Sequence, residues 1–449
     1  MIVAAGQTRS LRRDALSILR YSIRACDPLH AIRRRVRLKR GKLRADSKSY
    51  DLGSFQRILV TGAGKASARM AQALELILGD RITSGILVTK TGHVLPLQSD
   101  IELVEGAHPL PDKEGLKGAG RIVKLLSKTD ADDLVVLLLS GGGSALLVSP
   151  VPGTSLSDKI KLTDALLRCG ADIKEINTIR KHISRVKGGR LAQLAQPASV
   201  LTLALSDVVG DRLDSIASGP TAPDRTTFSD CMRIIKKYSL KDRIPKSIYS
   251  HLERGASGKI KETPKPGDPI FKKVMNVIVG SNRIALEAAE EKAKGLGFNT
   301  YVLPRPVAGD TTRAAKRHVR LVKDIALRKG PVRPPACVIS GGETTVQIRG
   351  GGKGGRNQEL ALAAAMGIKG MKNVVFLSAG TDGTDGPTDA AGAICDGQTV
   401  QRALNKGLDP KAYLVDNDSY HFFGKLGDLI ITGPTQTNVM DVHLALIGT

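Results

Sequence analysis

Short apolar runs that end in polar or glycine-rich turns recur in the first half of the chain and constrain its fold most. They span residues 57–61, 85–89, 133–139 and 199–205, and helix-like segments lie between them. Unbroken apolar runs of this length are typical of parallel strands that are buried on both faces. Alternation of strands and helices favours an α/β fold, with helices on both faces of a parallel sheet. The sequence therefore predicts a Rossmann-like N-terminal sheet, preceded by a helix over residues 8–26.

A second α/β segment is predicted after residues 240–275, which are polar and rich in Lys, Pro and Gly and are interpreted as a linker. Its predicted strands cover residues 276–280, 300–303, 337–340, 374–378, 429–432 and 439–447. A length of 449 residues also favours two domains. We expect domains at residues 1–255 and 256–449, the second an α/β domain with a mixed sheet.

Composition argues against several classes of protein. The five Cys are scattered without a CxxC pair, so a zinc ribbon or a thioredoxin-type site is not expected. No apolar run approaches the roughly 20 residues that span a bilayer, and the N-terminus lacks the layout of a signal peptide. We therefore expect a cytoplasmic protein without a membrane partner.

The net charge of +25 makes polyanion binding an alternative function. A basic run at residues 33–44 contributes to this charge, either as a solvated helix end and loop or as an attraction for anionic substrates or polyanions. No aromatic residue interleaves with that run, which argues against a platform for single-stranded nucleic acid. Acidic loops after the predicted strands also argue against nucleic acid, because they would repel its phosphates.

The first glycine turn is a candidate phosphate site. Gly62 and Gly64 lie between a strand and a predicted helix over residues 65–78, whose free N–H groups would bind an anion. Lys65 would lie on the first helical turn, where a cation is unfavourable unless an anion sits beside it. A plain strand-to-helix turn with a surface lysine is the alternative.

This turn matches neither of two well-known nucleotide motifs. A Walker A loop would need glycine at Leu59 and a hydroxyl residue at Ala66. A dinucleotide fingerprint would need a third glycine at Ser67 and an acidic residue after the next strand, where Thr89 and Lys90 stand. The motif alone is therefore a weak signal.

Further candidates follow the third and fourth strands. A loop expected to bind nucleotide phosphate through its backbone N–H groups and hydroxyls comprises Ser140, Gly141, Gly142, Gly143 and Ser144. Residues expected to hold a substrate carboxylate or phosphate, unless they belong to a solvated helix, are Asn177, Arg180, Lys187 and Arg190. Asp207 and Asp211 suit a general base or a Mg²⁺ site.

The second domain carries similar loops. Gly341 and Gly342 are expected to form a nucleotide-binding loop after a strand, followed by Glu343, while Arg356 begins a helix after a glycine stretch. An acidic loop supplies further candidate residues for nucleotide or Mg²⁺, or forms an Asx-turn-rich loop without metal: Thr381, Asp382, Gly383, Asp385 and Asp389. Cations beside carboxylates on glycine loops are typical of phosphoryl transfer.

These stretches together resemble a known family. VTGAGKAS, LLSGGGSALL, INTIRKHISRVKGGRLA, LSDVVGD, IASGPTAPD, VISGGETTV, GKGGRNQEL, SAGTDGTDGPTDAAG and ITGPTQTNV are similar to motifs of the glycerate 2-kinase family with a C-terminal MOFRL-type domain. They cover nearly the whole chain in order. One departure is Gln436, which stands where the family usually has glycine.

The resemblance implies two α/β domains with the active site in the cleft between them. It implies transfer of the γ-phosphate of ATP, with Mg²⁺, to the 2-hydroxyl of D-glycerate. It also implies that Lys65, Asp207 and Arg356 are catalytic residues. We expect the lysine and the arginine to hold the transferred group and the aspartate to accept the hydroxyl proton. Glu343, Asp211, Asp385 and Asp389 are the expected metal ligands.

Several alternatives stay open at this point. A hydroxypyruvate reductase that uses NAD(P)H is a second enzyme class, although the missing glycine and ribose acid argue against it. A polyanion-binding protein is a third reading. Physical reasoning does not choose between 2- and 3-phosphoglycerate as the product. A homodimer is one expectation for the assembly.

Overall fold

The computed structural model describes residues 2–449, with side chains described from residue 6 onward. Contacts divide the chain into two compact units. The first unit is Pro28–Val279, and the second is Gly280–Thr449 together with the N-terminal residues up to Asp27. The predicted N-terminal helix is confirmed as α1 (Ile2–Ala25), which belongs to the second unit. A domain boundary between residues 255 and 256 stays a prediction.

The first unit contains nine strands and nine α-helices. Its strands are β1 (Val36–Lys39), β2 (Lys42–Ala45), β3 (Lys48–Asp51), β4 (Arg57–Ala63), β5 (Ser84–Lys90), β6 (Ile101–Gly106), β7 (Asp133–Leu139), β8 (Ser199–Leu205) and β9 (Val274–Gly280). Its helices are α2 (Pro28–Arg35), α3 (Ser67–Leu78), α4 (Lys113–Leu126), α5 (Gly143–Leu146), α6 (Leu156–Arg168), α7 (Ile173–His182), α8 (Arg190–Leu194), α9 (Phe228–Lys237) and α10 (Lys246–Ala256).

The predicted parallel sheet is confirmed. The strand order is β6-β5-β4-β7-β8-β9, and the four neighbouring pairs from β6 to β8 are parallel. Strand β7 is buried throughout because its side chains alternate between two cores. Leu134, Val136 and Leu138 pack into a core with α2 and α3, while the intervening residues pack against α4, α5 and α8.

The expected linker at residues 240–275 is wrong. Within it α10 packs on α9, because Ile248 and Leu252 lie one turn apart and join Ile234 and Ile235 in one apolar core. Strand β9 then extends the first sheet beside β8 instead of opening the second domain.

The basic run lies partly on strands instead of only on a helix end and a loop. Strands β1 and β2 pair so that Arg37 faces Arg44 and Lys39 faces Lys42, and all four side chains are exposed. Leu43 and Ala45 on the other face are buried.

The second unit is built on a mixed sheet, as predicted. Besides α1, its elements are β10 (Asn299–Val302), β11 (Val307–Asp310), β12 (Ala336–Thr345), β13 (Val374–Gly380), β14 (Gly392–Asp396), β15 (Leu429–Ile430) and β16 (Asp441–Ile447), with helices α11 (Asn282–Gly295), α12 (Thr311–Ala326), α13 (Arg356–Gly367), α14 (Thr399–Asn405), α15 (Pro410–Val415) and α16 (Ser419–Leu426). Strands β10 and β11 lie parallel to β12, and β16 lies antiparallel between β12 and β13.

Strand β12 is longer than the sequence predicted. It continues through Gly341 and Gly342, which pair with Val442 and Asp441 of β16. The expectation that these glycines form a loop after a strand is therefore wrong, because β16 supplies pairing partners as far as Gly342 and β11 pairs with the rest of the strand. In residues 2–449, no helix combines the length and the apolarity that crossing a membrane requires.

Candidate active site

The glycine turn after β4 lies directly against the loop after β7. The backbone N–H of Lys65 donates to Gly141 O at 2.9 Å, and the N–H of Ala66 donates to Ser140 Oγ at 3.0 Å. Only glycine fits at position 64, because its φ is +149° and an added Cβ would overlap the Ser140 hydroxyl. The two predicted phosphate loops therefore form one structural element at the carboxyl edge of the sheet.

Lys65 itself precedes the helix. Helix α3 begins at Ser67, with Ala66 as its N-cap, so placement of Lys65 on the first helical turn is wrong. Its backbone N–H and that of Ala66 already have acceptors in the β7 loop. The side chain is half-buried and passes Gly142, where an added Cβ would lie 3.4 Å from Lys65 Cγ.

Two histidines beside Lys65 were not predicted from the sequence. His93 Nδ1 lies 3.1 Å from the carbonyl oxygen of Lys65, and the His108 ring lies against Gly142. Burial, together with the charges of Lys65 and Lys90, lowers the pKa of His108 to about 4, so this ring is neutral at pH 7. Both histidines follow parallel strands, β5 and β6, so the rule that selected the glycine loops could have found them.

Lys187 joins the β7 loop to the segment after β8. It is fully buried, and its ammonium donates to Ser144 O at 2.9 Å, to Ser144 Oγ at 3.3 Å and to Ala217 O at 3.2 Å. An ammonium has three hydrogens, and these three acceptors can take all of them. The structure thus gives Lys187 a role in holding two loops together, and a direct contact with substrate stays a prediction.

A row of polar groups continues from this lysine to α7. Ser144 Oγ lies 2.9 Å from Ser218 Oγ, which donates to Asn177 Oδ1 at 3.2 Å. Arg180 lies one turn further along α7, and its Nε is buried without a hydrogen-bond partner. Burial lowers the pKa of Arg180. Two of the predicted substrate residues, Asn177 and Arg180, therefore lie on one face of a helix beside the β7 loop.

Arg190 has different neighbours. Burial lowers the pKa of Arg190, and the negative charges of Glu262 and Asp224 oppose this effect. The pKa of Lys187 is lowered by burial and then by the positive charges of Lys159 and Arg180. Lys159 is only 5% exposed, and no motif in the sequence marks it as a candidate.

Two predicted carboxylates follow β8. Asp207 and Asp211 are half-buried, and Asp211 has a left-handed φ of +53°. Their position at a strand end is the one that the sequence indicated, and their roles stay predictions.

In the second unit, Arg356 is bound by carboxylates of the chain itself. Its Nε and Nη2 donate to the two oxygens of Asp441 at 2.6 and 2.9 Å, and its Nη1 donates to Glu343 Oε1 at 2.5 Å. Burial lowers the pKa of Arg356, but the pair with Asp441 outweighs burial and raises it. The anion expected beside this arginine is thus at least partly internal. Of five guanidinium N–H groups, three are used in this way.

The glycine stretch before Arg356 is also satisfied internally. Asn417 Oδ1 accepts from the N–H groups of Arg349 and Gly350, Asp416 accepts from Gly351, and Asp418 accepts from Lys353. Its glycines allow close packing against Asp416–Asp418 and leave few N–H groups for phosphate.

The acidic loop after β13 is a network of turns and caps. Asp385 accepts from the N–H groups of Asn357 and Gln358 at the start of α13, at 3.1 and 2.8 Å. Asp382 forms an Asx turn with Thr384, and Asp389 accepts from the Tyr420 hydroxyl.

The remaining residues of this loop join it to the segment before β16. Thr381 N and Oγ1 both donate to Met440 O, at 3.0 and 2.6 Å. Gly383 packs against the backbone of Gly433. Within residues 6–449, no group of three or more His, Cys, Asp or Glu side chains is arranged to hold a metal ion.

Comparison with known proteins gives consistent matches along the chain. Residues 14–253 match a domain of unknown function, DUF4147, and residues 336–441 match the MOFRL family. A glycerate 2-kinase of Pyrococcus horikoshii is 41% identical over 97% of each chain. A D-glycerate 2-kinase of Thermotoga maritima is 41% identical over 98% of this chain and 99% of its own. The chain belongs to the glycerate 2-kinase family.

A solved structure extends this likeness within the glycerate 2-kinase family to the fold. A crystal structure of glycerate kinase from Thermotoga maritima superposes with a TM-score of 0.87, at 40% identity, over 98% of this chain and all of that one. The predicted fold class, two α/β parts with a parallel and a mixed sheet, is therefore confirmed. The individual site residues stay predictions.

Proposed function

We propose that the protein phosphorylates D-glycerate at its 2-hydroxyl with ATP, giving 2-phosphoglycerate and ADP. One observation of the structure carries the proposal: cations without carboxylate partners gather at the carboxyl edge of the first sheet. Lys65 and Arg180 form no ion pair with any carboxylate of residues 6–449, and both lie beside the β7 loop. Buried or half-buried cations of this kind need an anion, and glycerate and ATP are both anions.

The residues take distinct roles in this proposal. Lys65 and Arg356 stabilise the charge on the transferred phosphoryl group, which is the main protein contribution to this reaction class. Asp207 accepts the proton of the 2-hydroxyl. Asn177 and Arg180 bind the carboxylate of glycerate, while Lys187 fixes the loops that hold them. Asp441 and Glu343 fix the guanidinium of Arg356 through the contacts described above.

The predicted metal ligands do not form a ready cage. Three of the four predicted ligands already have a partner: Glu343 binds Arg356, Asp385 caps α13, and Asp389 accepts from Tyr420. Mg²⁺ commonly binds through one or two carboxylates and the substrate phosphates. We propose that Mg²⁺ accompanies ATP, and no step of the proposal depends on a metal ligand of this chain.

The reductase alternative is less well supported by the first glycine turn. Ser67 stands where a dinucleotide fold has its third glycine, and its hydroxyl donates to Gly64 O at 2.8 Å. Lys90 ends β5, where an acidic residue would bind the ribose hydroxyls.

The test is steady-state phosphorylation of D-glycerate by two variants, Lys65→Ala and Arg356→Ala. We expect each to lower kcat by about 10²- to 10³-fold, because each removes charge stabilisation from the transition state. Lys161→Ala and Arg349→Ala are matched controls on exposed side chains. A kcat near that of the wild type in both active-site variants would refute the assigned roles. A cytoplasmic location and a homodimer also stay proposals.

A further inference from the structure

A lysine occupies the apolar stripe of α6. Lys159 lies on the same helix face as Leu162 and Leu166, and all three side chains are buried. An apolar residue is expected at such a position, because burial of an ammonium without a partner is costly. Lys159 is nevertheless only 5% exposed, and its Nζ forms no hydrogen bond or ion pair with the residues that the structure describes from position 6 onward.

The charged groups around Lys159 are cations. Besides burial, the charge of Arg180 on α7 lowers the pKa of Lys159. Besides burial, the charges of Lys159 and Arg180 lower the pKa of Lys187, the buried lysine before α8. Within residues 6–449 no carboxylate forms an ion pair with any of the three. By contrast Lys181, next to Arg180, does pair with a carboxylate, that of Asp224, at 3.2 Å.

These cations adjoin the β7 loop. Lys187 donates to Ser144, and the Ser144 hydroxyl begins the polar row that ends at Asn177 on the helix that carries Arg180. The ammonium of Lys187 has its three acceptors. The Nε of Arg180 is buried without a partner, and Lys159, only 5% exposed, is the other group of this cluster that has no acceptor.

We propose that Lys159 and Arg180 together bind the carboxylate of the acceptor, so that Lys159 is a specificity-determining residue for small 2-hydroxycarboxylates. This inference rests on the proposed function and adds a contact that the sequence did not indicate. A carboxylate would accept a hydrogen bond from each cation and offset the burial of both charges. An acceptor without a carboxylate would leave them unpaired, which is how a buried site rejects a ligand.

The test measures binding of D-glycerate by calorimetry at pH 7 to the wild type, Lys159→Met, Lys159→Arg and the exposed control Lys161→Met. We expect the Kd for D-glycerate to rise about 10- to 100-fold in K159M, to be partly restored in K159R and to stay unchanged in K161M. Glycerol, which lacks the carboxylate, should bind K159M no more weakly than the wild type.

Kinetics distinguish the carboxylate from a nucleotide phosphate. We expect KM for D-glycerate to rise in K159M while KM for ATP stays within about 3-fold of wild type. A rise in KM for ATP alone, or an unchanged Kd for D-glycerate in K159M, would overturn the inference.

The pH dependence separates a contact from a structural role. Burial, followed by the charge of Arg180, lowers the pKa of Lys159 to about 8. Wild-type affinity for D-glycerate should therefore decrease above pH 8, and K159R should retain its affinity to higher pH. Equal pH profiles would contradict a direct contact. If the wild type neither binds nor phosphorylates D-glycerate, the proposed function itself fails; if it does both and K159M binds equally well, only this inference fails.

Discussion

Replacement of Lys159 with Met should stabilise the first unit at pH 7. The pKa of this lysine is lowered from 10.5 to about 8, chiefly by burial. A lowering of this size corresponds to about 3 kcal/mol of unfavourable free energy for the charged form in the folded state. Methionine has a similar length and carries no charge, so K159M should recover an amount of this order.

The increase in stability of K159M over the wild type should become smaller as the pH rises. Below pH 8 the lysine is charged in both the folded and the unfolded state, and the folded state carries the full unfavourable free energy of the buried charge. Above its unfolded pKa of 10.5 it is neutral in both states, and the cost is gone. The contribution of Lys159 to wild-type stability therefore rises between about pH 8 and 10.5, and the advantage of K159M declines over the same range.

Differential scanning calorimetry at pH 7 and at pH 10.5 measures this advantage. For a unit of this size, about 3 kcal/mol corresponds to an increase in Tm of about 6–12 °C. K161M, on the exposed side of the same helix, should leave Tm within about 1 °C of wild type. A loss of stability in K159M at pH 7, or a gain that is the same at both pH values, would refute the account of Lys159 as a buried, unpaired cation.

Three other substitutions test the site. In Gly64→Ala the added methyl group would overlap Ser140 and move the adjacent loop. A displacement of about 1 Å can lower kcat/KM by about 10²-fold, and we expect steady-state assays to detect a decrease of this size. Asp441→Asn should lower kcat by about 10- to 100-fold with little change in KM for D-glycerate, because it loosens Arg356; an equal rise in KM would argue against this. His108→Gln should show a smaller decrease in Tm than the wild type between pH 7 and pH 5. The pKa of His108 is lowered to about 4 in the folded state, so the wild type loses stability as pH falls below 6.5. An equal decrease in Tm for the two proteins would contradict this.

Periodicity and apolar runs predicted most of the first sheet from the sequence. Strands β7 and β8 have the predicted bounds, because runs of at least six consecutive apolar or small residues fit a strand that is buried on both faces. Strand β9 was assigned to the wrong part of the chain, because its position beside β8 depends on contacts that are distant in sequence. Helix α10 was missed because its apolar residues, Ile248 and Leu252, are few and the segment around them is polar.

The candidate site was predicted where a residue type and a strand end coincide, as at Lys65 and Ser140. It was incomplete where burial decides the chemistry. Lys159 lies in a helix with ordinary charged neighbours, and only the packing of α6 reveals that its side chain is buried. Arg356 was expected to need a ligand anion, but Asp441, from the far end of the chain, binds it at 2.6 Å.

Phosphorus NMR of the product formed from ATP and D-glycerate tests the proposed reaction most directly. We predict ADP and 2-phosphoglycerate, whose phosphorus couples to the single proton on C2 and gives a doublet. A triplet, from the two protons on C3 of 3-phosphoglycerate, would contradict the proposed acceptor hydroxyl. Absence of any phosphorylated product, with oxidation of NADH in the presence of hydroxypyruvate, would contradict the kinase assignment itself.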